Sequence, residues 1–322
     1  MSDRSKYQES VAKALDKAIA KAAKTEIRRL MKSKGDKGTA RAIENALHSL
    51  AGLQNGEIPN YDDEWLAVLY GTWYQPSHIN LAYSMIKKMA KRRDPKRAIL
   101  TRKRKLHVVD FGCGTLAMQF GVTLAAADAL QQGQTLTSIK IDLIDSSQPM
   151  IDFGLNIWEE FQGEIKKRDE LARLREACNL VSIETLTEED VPAIHPGHDS
   201  WMSAMHVVYN DNKEDVQNEL HRLSNTTNPH VGFISYHYSS YSLAKSVSPF
   251  ENKNYQRLIT NVPFLFTEPF SNIFSSKLWN VRYDLYDQVE KYVEDKGFVQ
   301  NYLPGNLPWK PSGADCLIYV RR

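Results

Sequence analysis

The spacing of hydrophobic positions changes along the chain. Through roughly the first ninety residues, apolar side chains recur every three to four positions, as at Val11, Leu15 and Ile19, with an interruption at Gly35–Gly38. This spacing predicts amphipathic helices. From Leu106 onward, short apolar runs alternate with helical segments. That alternation predicts an α/β fold built around a parallel sheet.

One stretch in the second region combines a strand, a turn and a helix. The apolar run Leu106–Val109 predicts a buried strand, and Asp110 follows at its end. Gly112 and Gly114 then predict a tight turn, before an alanine-rich apolar helix over 115–130. Such an element forms a cradle for a nucleotide-like ligand, because free N–H groups at a helix start face anionic groups.

Two cofactor classes use a turn of this kind. Gly112, Gly114 and Ala117 satisfy the dinucleotide pattern G-x-G-x-x-G/A. Asp110 favours the other class, because the order acidic–apolar–Gly–x–Gly resembles motif I of the class I S-adenosylmethionine-dependent methyltransferases. A carboxylate is compatible with a cofactor that carries an amino group and a sulfonium. The family often has a third glycine at the position of Leu116.

A second acidic residue follows the next predicted strand. Apolar and polar residues alternate over 138–144 and lead into Asp145. The continuation Asp145-Ser-Ser-Gln-Pro-Met150 resembles the methyltransferase segment after the second strand. The resemblance implies that Asp145 binds both ribose hydroxyls and that an apolar residue, Met150, faces adenine. The alternative is that Asp145 only caps the next helix.

The resemblance also implies the architecture. We expect a seven-stranded, mostly parallel sheet with an antiparallel last strand, helices on both faces and a preceding helical segment. The predicted regions are a basic helical part at 1–95 and a cofactor-binding domain at 96–322, with an aromatic insertion at 242–280. The later strands are predicted at Leu180–Ile183, Trp201–Tyr209, His230–Tyr236, 298–303 and 315–320.

The resemblance and the strand ends together give a set of cofactor-binding candidates. Glu184, after the predicted third strand, is placed to reach the adenine amino group. Tyr74, with Tyr70 and Trp73, either closes the cofactor pocket or belongs to the core. The full set of candidates is Asp110, Gly112, Cys113, Gly114, Asp145, Ser146, Met150, Glu184 and Tyr74.

Candidates for proton transfer follow the fourth and fifth predicted strands. They are Tyr209, Asp211 and His237, of which His237 is preferred because an imidazole can accept a proton near neutral pH. His195 and His198 bracket a Pro-Gly turn, but no cysteine or carboxylate set completes a metal site there. We therefore predict no metal.

The net charge of +2 hides an asymmetry. Residues 1–105 contain 23 Lys and Arg against 11 Asp and Glu, whereas the remainder contains 18 against 28. Within 87–105, eleven of nineteen residues are basic. Such a run predicts a binding surface for RNA or a ribonucleoprotein, or else a surface that contacts only solvent. The RNA-binding candidates are Arg92, Arg93, Arg102 and Arg104.

The remaining features bear on location. The chain of 322 residues has no apolar run of membrane-spanning length, and its beginning lacks the apolar segment of a secretory signal. Its three cysteines are far apart, which suits a reducing compartment. We therefore expect a cytoplasmic protein with no membrane partner.

Three functions follow from these observations. The first is an S-adenosylmethionine-dependent methyltransferase acting on RNA or a ribonucleoprotein. Residues 65–145 are also similar to the methyltransferase-like family associated with the small ribosomal subunit, although its cysteine set, and hence an iron–sulfur site, is missing here. The second is a methyltransferase for a small molecule or protein side chain, with a pocket formed by 242–280. The third is a non-catalytic binding protein on the same fold.

Overall fold

The computed structural model divides into two compact units that interleave along the chain. It describes residues 3–53, 57–187, 189–236, 241–263, 268–303 and 313–322, with side chains described in these ranges except at 3–5, 259–276 and 313–315. The first unit, here the helical unit, comprises residues 1–77, 147–172 and 266–311. The second, here the sheet unit, comprises residues 78–146, 173–265 and 312–322.

Seven strands form one sheet in the order β3-β2-β1-β4-β5-β7-β6. The first five strands in this order pair in parallel, and β7 runs antiparallel to both of its neighbours. The predicted seven-stranded, mostly parallel sheet with an antiparallel last strand is therefore confirmed. The strands are β1 Lys105–Phe111, β2 Ser138–Ile144, β3 Val181–Leu186, β4 Asp199–Met205, β5 Val231–Ser235, β6 Tyr255–Pro263 and β7 Gly313–Arg321.

Ten α-helices accompany the strands in the described part of the chain. Backbone angles at Gly35 (φ 64°, ψ 172°) interrupt the first of them, where the sequence predicted a break. The helices are α1 Asp3–Gly52, α2 Glu64–Trp73, α3 Gln75–Arg93, α4 Ala117–Gln131, α5 Gln148–Lys166, α6 Ala172–Leu180, α7 Lys213–Thr227, α8 Tyr241–Val247, α9 Glu268–Val289 and α10 Lys296–Tyr302. None of the described helices is long and apolar enough to cross a membrane.

The direction of the crossovers fixes where a ligand can bind in the sheet unit. The chain moves from β1 through α4 to β2 on one side, and from β4 through α7 to β5 on the other. Because such crossovers are right-handed, α4 and α7 lie on opposite faces of the sheet. The strand order therefore reverses between β1 and β4, and the crevice at their carboxyl ends is the expected ligand position.

Close packing of apolar side chains holds this unit together. Val109, Met202 and Ile234 share a buried cluster with Leu220 and other residues of α7 and α8. On α4, a Cβ added to Gly121 would lie 2.5 Å from the Ala82 Cβ of α3. The glycine therefore lets the two helices approach closely.

The helical unit is organised around α1, which packs against α2, α5 and α9. The predicted periodicity places Leu15 and Ile19 in its core, where both are buried. A Cβ on Gly71 of α2 would lie 2.3 Å from Phe153 of α5, so these two helices also touch at a glycine.

One predicted strand was wrong. Residues 298–303 fall in and just after α10, whose start is fixed by the Asp295 carboxylate accepting a hydrogen bond from the Phe298 N–H at 2.9 Å. A capping aspartate favours a helix over a strand. The sixth strand instead lies at Tyr255–Pro263, inside the segment expected to be an insertion at 242–280. The prediction at 315–320 is confirmed, because these residues lie in β7.

Each unit is built from three separate stretches of the chain. Helix α3 belongs to the sheet unit from His78 onward, and Gly121 of α4 packs against it there. The division of the chain after residue 95 stays a prediction.

Candidate active site

Asp110 stands near the carboxyl end of β1, at the point where the strand order reverses. Its side chain is 1% exposed and accepts a hydrogen bond from the Ser203 hydroxyl on the neighbouring strand β4. Burial raises the pKa of Asp110 to about 7; the Ser203 hydrogen bond opposes this shift, and the negative charge of Asp145 adds to it. A buried carboxylate of this kind is stabilised by a cation.

The turn after Asp110 requires glycine at its first position. Gly112 has φ of +64°, and an added Cβ would lie 1.8 Å from Val207 Cγ1. Its N–H donates to the Ile144 carbonyl at 2.7 Å, which ties the turn to the end of β2. Gly114 also has a left-handed backbone, with φ of 49°. These angles are costly for residues with side chains.

Leu116, which stands where the third glycine was expected, has a left-handed backbone. It precedes α4 with φ of 68° and ψ of 37°, and its side chain is buried. A left-handed backbone is one that glycine adopts without strain. The leucine carries the strain of a left-handed residue, of about 1 kcal/mol, while contributing apolar contact to the core.

Asp145 meets the glycine turn from the neighbouring strand. It follows β2, is half-buried, and accepts a hydrogen bond from the Gly114 N–H at 2.7 Å. A carboxylate has about four acceptor positions, so it can accept hydrogen bonds from several donors at once. Ser146, the next residue, is exposed. The structure thus brings Asp110, the glycine turn and Asp145 together.

Cys113 fills the turn between the two glycines. The thiol is buried, and burial together with the charges of Asp145 and Asp110 raises its pKa well above the usual value. It therefore remains a neutral thiol rather than a nucleophile.

Two other cofactor-binding candidates, Met150 and Tyr74, belong to the helical unit. Ser147 caps α5 by accepting from the Met150 N–H at 3.3 Å, and Met150 is buried in the unit. The cap of this helix is thus Ser147 rather than Asp145. Tyr74 ends α2, and its ring lies 5.1 Å from that of Tyr70.

The third strand is longer than predicted and includes Glu184. β3 continues to Leu186, which pairs with Ile144, so Glu184 does not stand at the strand end. It pairs instead with Asp142, in the middle of β2. The residue that follows β3 next to Asp145 in register is Thr187.

The three proton-transfer candidates differ in their burial and in whether the structure describes them. Tyr209 and Asp211 follow β4, where Tyr209 is buried and its N–H donates to the Asn212 side chain at 2.8 Å, while Asp211 is exposed. His237 lies outside the described residues. The predicted strand over 201–209 ends early, at Met205.

Because β4 ends at Met205, His206 lies just after the strand, whereas the sequence predicted it within the strand. His206 has a left-handed backbone with φ of 59°, and its N–H donates to the Ser235 carbonyl at 3.1 Å. Its buried ring stacks on His78 of α3, with centroids 4.4 Å apart. Strained backbone of this kind is concentrated at functional sites. The apolar run around His206 gave no sign of the turn.

Two of the basic candidates lie near the amino end of β1, opposite the end that carries Asp110. Arg102 and Arg104 are exposed and precede the amino end of β1. The seven residues of β1 put them about 20 Å from the carboxyl edge. Arg92 and Arg93 are exposed in the last turn of α3. Lys87, which opens the basic run, is buried and forms an ion pair with Asp128 at 2.5 Å.

Comparisons with known proteins give only distant similarities. No family model and no curated protein matches the chain. A proposed class I S-adenosylmethionine-dependent methyltransferase from Listeria monocytogenes is 13% identical, covers 97% of this chain and 88% of its own, and has a TM-score of 0.43.

Two further solved structures are similar over a smaller part of the chain. The [4+2]-cyclase SpnF is 12% identical over 74% of this chain and 80% of its own, with a TM-score of 0.37. A proposed sarcosine dimethylglycine methyltransferase from Galdieria sulphuraria is 12% identical over 74% and 84%, with a TM-score of 0.35. Similarities this distant assign neither a ligand nor a reaction.

Proposed function

We propose that this chain is an S-adenosylmethionine-dependent methyltransferase with a small-molecule acceptor. The observation that carries the proposal is the pair of carboxylates, Asp110 and Asp145, on either side of the glycine turn. Asp145 is bonded to that turn through Gly114, and Asp110 is buried at the reversal of strand order. Ligands of doubly wound sheets bind at this position.

The residues fit S-adenosylmethionine by their chemistry. The buried Asp110 carboxylate is suited to the cationic amino acid end, because its ionised form gains from a positive neighbour. The half-buried Asp145 carboxylate is suited to the two ribose hydroxyls, because a carboxylate can accept a hydrogen bond from each of them. A nicotinamide dinucleotide would instead place its pyrophosphate near these two acids.

Within the proposed reaction, the bound sulfonium supplies an electrophilic methyl group. The protein mainly aligns donor and acceptor, which is worth several kcal/mol of the barrier. Asp110 and Asp145 hold the donor. His206 follows the carboxyl end of β4 and stacks on His78, which supports a role for it as the group that accepts a proton from the methylated nitrogen or oxygen.

The acceptor is proposed from the position of the basic run. Arg102 and Arg104 lie at the amino edge of the sheet, about 20 Å from the proposed methyl-transfer edge. Lys87 is already neutralised by Asp128. The run thus gives less support to an RNA acceptor than its composition suggested, and a small-molecule acceptor is the simpler proposal.

The proposed reaction is tested by transfer of a radioactive methyl group from S-adenosylmethionine to RNA, protein and metabolite fractions. The expected result is label in the metabolite fraction alone. Label in RNA would overturn the proposed acceptor, and cofactor binding without label in any fraction would favour the non-catalytic alternative.

The role of His206 is tested by His206→Asn, since asparagine tolerates the left-handed backbone at this position. Loss of a general base should lower the transfer rate by about 100-fold or more and flatten its pH profile, with cofactor affinity unchanged. A parent-like rate and pH profile would exclude this role.

A further inference from the structure

The helical unit contains a buried arginine for which the described residues provide no hydrogen-bond acceptor. Arg282 of α9 is 1% exposed, and none of its three guanidinium nitrogens has a hydrogen-bond partner in the described part of the chain. A guanidinium carries five N–H donors and remains charged in proteins. Burying such a group unpaired is costly, so natural proteins rarely do it without a reason.

Two tryptophans surround this guanidinium. Its central carbon lies 5.1 Å from the ring centroid of Trp73, at the end of α2, and 5.6 Å from that of Trp279, one turn before it on α9. These cation–π contacts offset part of the cost of burial. They leave the in-plane N–H donors unsatisfied, because the contact is with the ring faces.

A second donor of this cluster belongs to Trp73. The indole Nε1 of Trp73 is buried and has no hydrogen-bond partner among the described residues. The ring of Tyr302, from α10, packs edge-on against the Trp73 ring, with the two ring centroids 5.9 Å apart. The cluster of Arg282, Trp73, Trp279 and Tyr302 is therefore rich in donors and has no carboxylate partner in the described part of the chain.

Two other arginines, Arg29 and Arg222, illustrate the usual pairing with acids. Arg29 contacts Glu26 and Glu64, and Arg222 contacts Glu219, although all these groups are more exposed than Arg282. Burial lowers the pKa of Arg282 to about 10, with no neighbouring charge to offset it among the causes of the shift. The group still remains a cation at neutral pH.

We propose that Arg282, with the indole N–H of Trp73, binds the carboxylate or phosphate group of a small-molecule ligand. A guanidinium matches the two oxygens of either group in a planar, bidentate arrangement. Trp279 is the half-buried wall of the cluster and marks the side from which the ligand enters. This site lies wholly within the helical unit and does not depend on the proposed methyl transfer.

The test uses sodium phosphate and sodium acetate as probes, at ionic strength held constant with sodium chloride. Tryptophan fluorescence and the melting temperature of the full chain are followed as each anion is added. The parent should respond saturably to one of them in the millimolar range. A response to phosphate only, or to acetate only, identifies the ligand group. No response to either probe beyond that to chloride would overturn the proposal.

Variants separate a binding role from a packing role. Arg282→Met keeps an unbranched side chain but removes the charge, so it should weaken anion binding by about 10-fold or more while leaving the melting temperature equal or higher. Arg282→Lys keeps the charge without the fork and should retain a weakened response to phosphate. Trp73→Phe removes the N–H but keeps a smaller aromatic ring, and it should weaken binding severalfold.

Arg29→Gln is the matched control, because Arg29 is exposed and paired with acids. It should leave the anion response unchanged. If Arg282→Met lowers the melting temperature and still binds the anion as the parent does, the arginine serves packing alone and the proposal fails.

Discussion

Strands β1 and β2 carry two polar pairs that occupy equivalent diagonal positions, three residues apart. In the first, His107 Nε2 lies 2.7 Å from Asp142 Oδ2, with both side chains buried. In the second, Asp110 and Asp145 are both carboxylates, and the charge of Asp145 contributes to the raised pKa of Asp110. The first pair joins a histidine to a carboxylate, which can hydrogen-bond to each other. The second pair joins two carboxylates, whose negative charges repel.

The difference separates a structural pair from a functional one. A buried histidine–carboxylate pair needs nothing further, because donor and acceptor face each other. Two neighbouring carboxylates oppose folding unless something positive or hydrogen-bond donating joins them. Ser203 donates a hydrogen bond to Asp110, and the Gly114 N–H donates one to Asp145. A ligand with a cationic end and a diol would suit both carboxylates.

The largest effect expected from this comparison is on stability. Asp142→Ala leaves His107 buried without its partner, which should lower the free energy of unfolding by about 3 kcal/mol. Asp145→Ala should cost about 1 kcal/mol, because the hydrogen bond from Gly114 that it removes lies at a half-buried position. Urea denaturation followed by circular dichroism measures both. Equal losses would mean that the two pairs do not differ in kind.

The next effect is on the pH dependence of cofactor binding. The pKa of Asp110 is raised to about 7 in the free protein, and a cationic ligand should lower it. Because the protonated acid cannot pair with a cation, affinity for S-adenosylmethionine should fall toward tenfold per pH unit below about 7 and be level above it. Titration calorimetry from about pH 5.5 to about pH 8.5 covers the transition.

Asp110→Asn is the control for this dependence. The variant should bind more weakly than the parent at pH values above about 7, with an affinity that no longer changes with pH through this group. A parent-like pH dependence in the variant would show that another group is responsible.

The smallest effect is expected at the four basic candidates. Replacing Arg92, Arg93, Arg102 and Arg104 with Gln should leave cofactor affinity and methyl transfer within about twofold, because all four side chains are exposed. If RNA is the acceptor, the same variant should bind RNA less tightly and with a salt slope reduced by about one unit per lost phosphate contact. A filter-binding series in salt distinguishes the two results.

Local signals allowed much of the sheet unit to be predicted. Asp110 and Asp145 each end a run with a clear strand pattern, so their positions followed from the sequence alone. The sixth strand did not, because the place of 255–263 in the sheet is decided by its pairing with the distant β7. The Asp295 cap overrode the strand pattern at 298–303.

Two features of the candidate sites depend on tertiary packing and had no local signal. His206 ends β4 through a left-handed backbone inside an apolar run that predicts continued strand. Arg282 occupies a helix position that a sequence pattern would assign to the surface, and only packing around Trp73 and Trp279 buries it.

The central claim is that the carboxylate pair around the glycine turn binds S-adenosylmethionine. Calorimetric titration of the parent and of Asp145→Ala with S-adenosylmethionine and with NAD tests it directly, and Asp142→Asn serves as the matched control on the same strand. We expect the parent to bind S-adenosylmethionine and not NAD, with Asp145→Ala weaker by about 10- to 100-fold and Asp142→Asn unchanged if folded. Binding of NAD without a response to S-adenosylmethionine, or parent-like affinity in Asp145→Ala, would contradict the claim.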